Sequence, residues 1–214
     1  MKGKEERETA EFLPQVRNNE KSVVREYCEA FLYAIILALI IRAFVFQAFK
    51  IPSGSMIPTL QVGDHILVNK FIYGFKIPFT DIELVPFGEP ERGDIIVFKY
   101  PKDEKRDFIK RVIARGGDRV EIRNKRVYIN GEPLEESYTN KTESFSVNLD
   151  NYKPITVPLG HLFMMGDNRD NSMDSRIWGF LEESKVKGKA FLIYFSWDSK
   201  HKTVRWNRLF NFLN

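Results

Sequence analysis

The sequence predicts a mainly β protein, an antiparallel β-sheet or barrel-like domain behind one N-terminal transmembrane helix. Three observations carry this. Ala30 to Phe49 is a 20-residue apolar run broken by Arg42, about the length of a helix that crosses a ~30 Å hydrocarbon core. The remainder divides into short β-like runs separated by Gly and Pro turns, with no convincing amphipathic helix between them, which suits a sandwich or barrel. The chain has 214 residues, 43% of them hydrophobic and 29% charged, enough to bury a substantial core.

In chain order, residues 1–29 are dense in charge and read as a polar, cytoplasmic tail. Residues 30–49 follow as the anchor. A central arginine costs about 2.5–3.5 kcal/mol on insertion scales, but one nearer the end reaches the interface. No small-residue cleavage site follows the run, so it reads as uncleaved. Arg17, Lys21 and Arg25 precede it against Lys50 close behind, which favours a cytoplasmic N-terminus and places 50–214 on the outer face. Strands are expected over Asp64–Lys70, Gly93–Tyr100 and Asp107–Ala114. Arg119–Arg123 and Arg126–Asn130 alternate on either side of Asn124-Lys125 as a hairpin. Gly160–Met165 and Lys189–Trp197 complete the set. Residues 131–159 are polar, irregular and proline-punctuated, an inserted excursion. The aromatic, arginine-rich end from Val204 suits either a membrane interface or a short helix packed on the domain.

The net charge of +4 is modest, and all of the excess lies in 49–214. Solubility accounts for it, and no nucleic-acid partner is expected. One cysteine, Cys28, excludes an intrachain disulfide, and three scattered histidines offer no zinc spacing. No metal and no cofactor are expected.

Three stretches could carry chemistry. Ile51-Pro52-Ser53-Gly54-Ser55-Met56-Ile57-Pro58-Thr59-Leu60 sets two hydroxyls around a glycine between prolines. The prolines narrow the backbone and the glycine allows a sharp bend. This suits a held nucleophile, and equally an ordinary turn. A serine needs a base, and His65 and His161 fall in or beside strands, away from any nucleophile elbow. A lysine neutralised by burial serves instead. Lys110 lies in the apolar run Phe108-Ile109-Lys110-Arg111-Val112-Ile113, on the face of Phe108 and Val112. Bringing its pKa near 7 requires roughly 4–5 kcal/mol of differential desolvation. A lysine deterring edge pairing fits the same position. The third stretch, Met165 to Phe180, packs acids, amides, hydroxyls and arginines together. Alone it fits Asx turns with local ion pairs. A calcium loop is disfavoured by the missing central glycine and terminal glutamate.

Taken together, Pro-Ser-Gly-Ser-Met-x-Pro-Thr-Leu, Phe-Ile-Lys-Arg-Val and Gly-Asp-Asn-Arg-Asp-Asn-Ser-x-Asp-Ser-Arg-x-Trp-Gly-Phe resemble the blocks of bacterial type I signal peptidases (leader peptidases). They stand in the right order behind an anchor, and the resemblance runs to about Trp197. It implies Ser55 as nucleophile and Lys110 as general base. It implies that Ser53 joins the Ser55 amide in an oxyanion hole and that Ser172 orients the lysine amine. Asp174, Arg176, Asp167 and Arg111 become ionic support, and Met56 part of the substrate pocket. The implied activity is a membrane-bound serine endopeptidase of the plasma (inner) membrane, removing N-terminal signal peptides from exported preproteins after small residues. The implied partners are preprotein signal peptides and membrane lipid. Many members have two anchor helices where one is read here. Self-cleaving repressors of the related Ser/Lys class need a helix-turn-helix where this chain has its apolar run.

Overall fold

The computed structural model describes residues 23–76, 83–85, 87–139 and 149–213, so the predicted tail is described only from Val23. Helix α1 spans Val23–Phe44. Arg25 and Glu29 pair across one of its turns at 2.8 Å. Val24, Phe31, Tyr33, Leu37 and Leu39 are among its exposed large apolar side chains. Among the described residues no helix is long and apolar enough to cross a membrane. The chain to Leu39 and the chain from Ile40 onward form separate compact units.

The predicted anchor is corrected at its end. Phe46–Lys50 is not helix but strand β1, pairing antiparallel with β2 (Asp64–Asn69), with Phe46 opposite Asn69 and Lys50 opposite His65. In a short, largely apolar run periodicity does not separate helix from strand. The partner edge of β2 decides, because it satisfies the backbone of residues that a helix pattern would also have accommodated.

The remaining strands are β3 (Phe75–Lys76), β4 (Glu83–Val85), β5 (Ile95–Tyr100), β6 (Asp103–Arg115), β7 (Arg119–Arg123), β8 (Arg126–Ile129), β9 (Glu132–Pro133), β10 (Tyr152–Thr156), β11 (His161–Met165), β12 (Leu181–Glu182), β13 (Val186–Asp198), β14 (Thr203–Val204) and β15 (Asn211–Phe212). A four-residue helix α2 (Ser175–Trp178) precedes β12. The main antiparallel sheet runs β1-β2-β13-β5-β6-β11-β12, with β14 and β15 both on β13. A smaller sheet runs β10-β7-β8-β9. The excursion 131–159 therefore contributes β9 and β10 to a sheet and is not irregular throughout. The chain end also pairs as strands on β13 and does not form an α-helix, while Trp206, Phe210 and Phe212 stay exposed. In the expected β7–β8 hairpin, Asn124 and Lys125 both have positive φ (48° and 65°), as a two-residue turn matched to strand twist demands.

Alternation along β5 and β6 divides the apolar residues between two cores. Ile96, Phe98 and Val112 pack with Leu162, Met164 and Trp178. Ile95 and Val97 pack with Ile51, Met56, Leu60, Ile66 and Val68, joined by Ile109. Val120, Ile122, Val127 and Ile129 of the smaller sheet close over Ile113, Phe163 and Met165 in a third core.

Candidate active site

The loop between β1 and β2 carries Ser55. Its neck is closed by Ile51 N–H donating to Asp64 O at 2.8 Å and Gly63 N–H donating to Ile51 O at 3.0 Å. Ile51, Met56 and Leu60 are buried beneath it and fix its depth. Apolar residues at 56 and 60 bring one helical turn together, with Leu60 N–H donating to Met56 O at 2.8 Å. Ser55 is thus carried by a loop whose shape comes from its own buried side chains.

Adjacent residues of β6 turn to opposite faces. Lys110, opposite Ile96 in the ladder, is 4% exposed. Its Nζ lies 2.8 Å from Ser55 Oγ, donates to Ile109 O at 2.9 Å, and sits 5.4 Å from the Phe108 ring centroid. Burial pulls its pKa from 10.5 down to about 8, against the opposing pull of Asp174 and Asp167. At pH 7 about a tenth of the amine is then neutral, far more than for an ordinary lysine.

Arg111, on the other face, grips Asp167 with both ends of its guanidinium, Nε to Oδ1 at 2.9 Å and Nη2 to Oδ2 at 2.8 Å. Both side chains are within 3% of full burial. Thr59 Oγ1 adds a 2.5 Å bond to Asp167 Oδ2, and Arg111 Nη1 donates to Gly93 O at 2.7 Å. Truncating one partner of a buried pair strands the other charge and typically costs 3–5 kcal/mol. Arg111→Met is therefore expected to lower unfolding free energy by about that amount in urea titration, and a loss below ~1 kcal/mol would show that the pair does not fasten the loop.

The loop after β11 closes the site. Asn168 N–H donates to Ser55 O at 3.1 Å and Asn168 Nδ2 to Gly54 O at 3.0 Å. A side chain at Gly166 would overlap the Ser55 carbonyl and the Ser172 hydroxyl, so only glycine allows this approach. Asp174 caps α2, accepts from Gly166 N–H at 3.1 Å and pairs with Arg176 at 2.8 Å. Arg176 also donates to Arg169 O at 2.7 Å.

Of the residues singled out in the sequence, Ser55, Lys110, Arg111, Asp167, Asp174 and Arg176 come together here. Ser53 lies on the same loop with its side chain exposed. Met56 is fully buried and forms the floor of the loop, not a wall open to a peptide. Ser172 Oγ is buried with no hydrogen-bond partner, so the lysine's second bond goes to Ile109 O in its place. Thr59, Asn168, Glu136 and Tyr138 were missed as site residues. Thr59 and Asn168 sit inside the motif stretches and could have been found there. Glu136 and Tyr138 carry no local signal.

A serine hydroxyl held against a buried amine, on a mainly β frame, belongs chemically to the serine hydrolases, with an amine where a triad has imidazole. The sequence matches the family "Signal peptidase, peptidase S26" over residues 24–197. It is 38% identical to signal peptidase I of Pseudomonas aeruginosa over 84% of this chain and 75% of that protein. It is also 38% identical to signal peptidase I of Aquifex aeolicus (77% and 82% covered) and to probable signal peptidase I-1 of Synechocystis (88% of each). The chain belongs to the peptidase S26 family of signal peptidases.

Proposed function

We propose that the chain is a membrane-anchored endopeptidase that removes signal peptides from exported preproteins with Ser55 as nucleophile and Lys110 as general base. The 2.8 Å approach of Lys110 Nζ to Ser55 Oγ, in a site whose burial lowers the amine's pKa to about 8, is the observation that carries this. Neutral Nζ takes the Ser55 proton as Oγ attacks the scissile carbonyl. The Ser55 N–H and the Ser53 hydroxyl receive the oxyanion, each donor typically worth ~3–4 kcal/mol. The ammonium then protonates the departing amine; the neutral amine next takes a proton from water as its oxygen attacks the acyl carbon, and returns that proton to Ser55 Oγ as the ester bond breaks. Ser172 is retained as the hydroxyl that orients the amine, since a buried hydroxyl left without a bond costs about 1–3 kcal/mol.

Beyond Arg111, where β11 ends its ladder, the earlier residues of β6 pair only with β5 among the described residues. That free edge beside Lys110 suits an extended peptide held by main-chain hydrogen bonds. The exposed apolar side chains of α1 support an anchor in the plasma membrane with the N-terminus cytoplasmic and the catalytic domain outside.

The test is cleavage of a preprotein with Ala at −1 and −3, in detergent, as a function of pH. Activity rises as Lys110 loses its proton, with an acid limb centred near pH 8. The charges facing Lys110 are Asp167 and Asp174, each held by a guanidinium, so that limb belongs to the amine. A limb near pH 6.5 would point to histidine, and binding of the peptide without turnover would point to a scaffold.

A further inference from the structure

The excursion 131–159 reaches the back of the active site through two side chains. The Glu136 carboxylate takes both terminal nitrogens of Arg169, Oε2 at 2.8 Å from Nη1 and Oε1 against Nη2. These two side chains are only 2% and 3% exposed. Arg169 Nε in turn donates to Gly166 O at 3.1 Å, and Gly166 is the residue that lies against the Ser55 carbonyl. Two residues on, the Tyr138 ring lies 3.9 Å beneath the Arg111 guanidinium, the group that grips Asp167. Tyr138 Oη donates to Glu136 Oε1 at 3.4 Å and joins the two contacts. One short segment therefore touches two of the arginines that hold the catalytic loop, Arg169 and Arg111.

We propose that Glu136, assisted by Tyr138, is a positioning residue for the reaction: it clamps Arg169 onto the Gly166 carbonyl and so fixes the wall behind Ser55 and Lys110. This rests on the Ser55–Lys110 mechanism above. The physical reason to separate positioning from stability is that a buried ion pair adds little net stability over apolar side chains of similar volume, while it fixes geometry. Without the clamp the Gly166 wall loosens, water reaches the amine, and the Lys110 pKa moves up toward its ordinary value.

The experiment compares Glu136→Ala with the paired variant Glu136→Leu/Arg169→Met, which removes both charges together. Both are expected to lose tenfold or more in kcat with KM within twofold, and to move the acid limb to higher pH. Only Glu136→Ala should show a lowered Tm, because only there is Arg169 left buried and unpaired. Recovery of kcat together with Tm in the paired variant would make the contact structural and overturn the proposal, as would a change confined to KM or Tm. Should the paired variant not fold, Glu136→Gln decides in its place. It keeps the shape and one acceptor, so a fall in kcat at unchanged Tm supports the clamp and an unchanged kcat overturns it. Titrating Lys110 by NMR in the same variants reads the clamp independently of turnover, whereas residual cleavage by Ser55→Ala would sink the mechanism itself.

Discussion

Ser55→Ala and Lys110→Met are each expected to cut preprotein cleavage by at least ~10³-fold, because in the proposed mechanism they are nucleophile and base, which act as a unit, and losing either removes the step both perform. Activity within tenfold of wild type in either variant would strike that residue from the mechanism. Lys110 carries a second, independent signature in stability. Its folded pKa of about 8 lies below the ordinary 10.5 through burial, so the unfolded chain holds this proton more tightly. Below pH 8 both states are protonated and the fold bears the full cost of a buried ammonium. As pH rises from 8 to 10.5 the folded amine is neutral while the unfolded one stays charged, and the cost is relieved. Wild type should thus gain ~2–3 kcal/mol relative to Lys110→Met between pH 7 and pH 10. A pH-independent difference in urea unfolding would show that the amine is not desolvated.

The smallest substitution has the second large effect. Gly166→Ala adds one methyl group, directed at the Ser55 carbonyl and the Ser172 hydroxyl. A flexible side chain could swing away, but the Ser55 carbonyl is backbone and is already held by Asn168 N–H at 3.1 Å. Relief comes only by moving the nucleophile loop against the β6 strand that carries Lys110. A displacement near 1 Å costs roughly 10²-fold in rate, and overpacking adds about 1–3 kcal/mol of destabilisation. Steady-state kinetics should show the loss in kcat with the pH profile displaced as well. Near-normal kcat would mean that the loop and the strand move together.

What the sequence made legible was local. Strands β2, β5, β7, β8, β11 and β13 show in alternation and turn residues, and the Asn124-Lys125 hairpin shows in its spacing. Ser55 and Lys110 were ambiguous singly, a loop that fits a turn and a lysine that fits a strand edge, and became candidates only when read with the Met165–Phe180 stretch and the resemblance the three carry. Phe46–Phe49 was misread because its apolar residues satisfy two periods at once, and only the distant edge of β2 selects strand. Glu136 was invisible for another reason. Its partner lies 33 residues away, in a segment whose own pattern speaks only of turns, and nothing near either residue announces the meeting. The resemblance placed Met56 in the substrate pocket, while the fold turns its side chain inward to the core.

The neighbours Lys110 and Arg111 leave one strand in opposite directions, the amine toward Ser55 and the guanidinium toward Asp167. A frame shift of one residue between β6 and β5 would turn both to the other face, bringing either Arg111 or Ile109 into the place of Lys110 according to its direction. Net charge would survive while the proposed base was lost, since a guanidinium holds its proton throughout the working range and an isoleucine has none to exchange. The parity of a single strand therefore acts as this protein's on–off setting. Changes to the β5–β6 hairpin that leave Lys110 opposite Ile96 keep the amine on the Ser55 side.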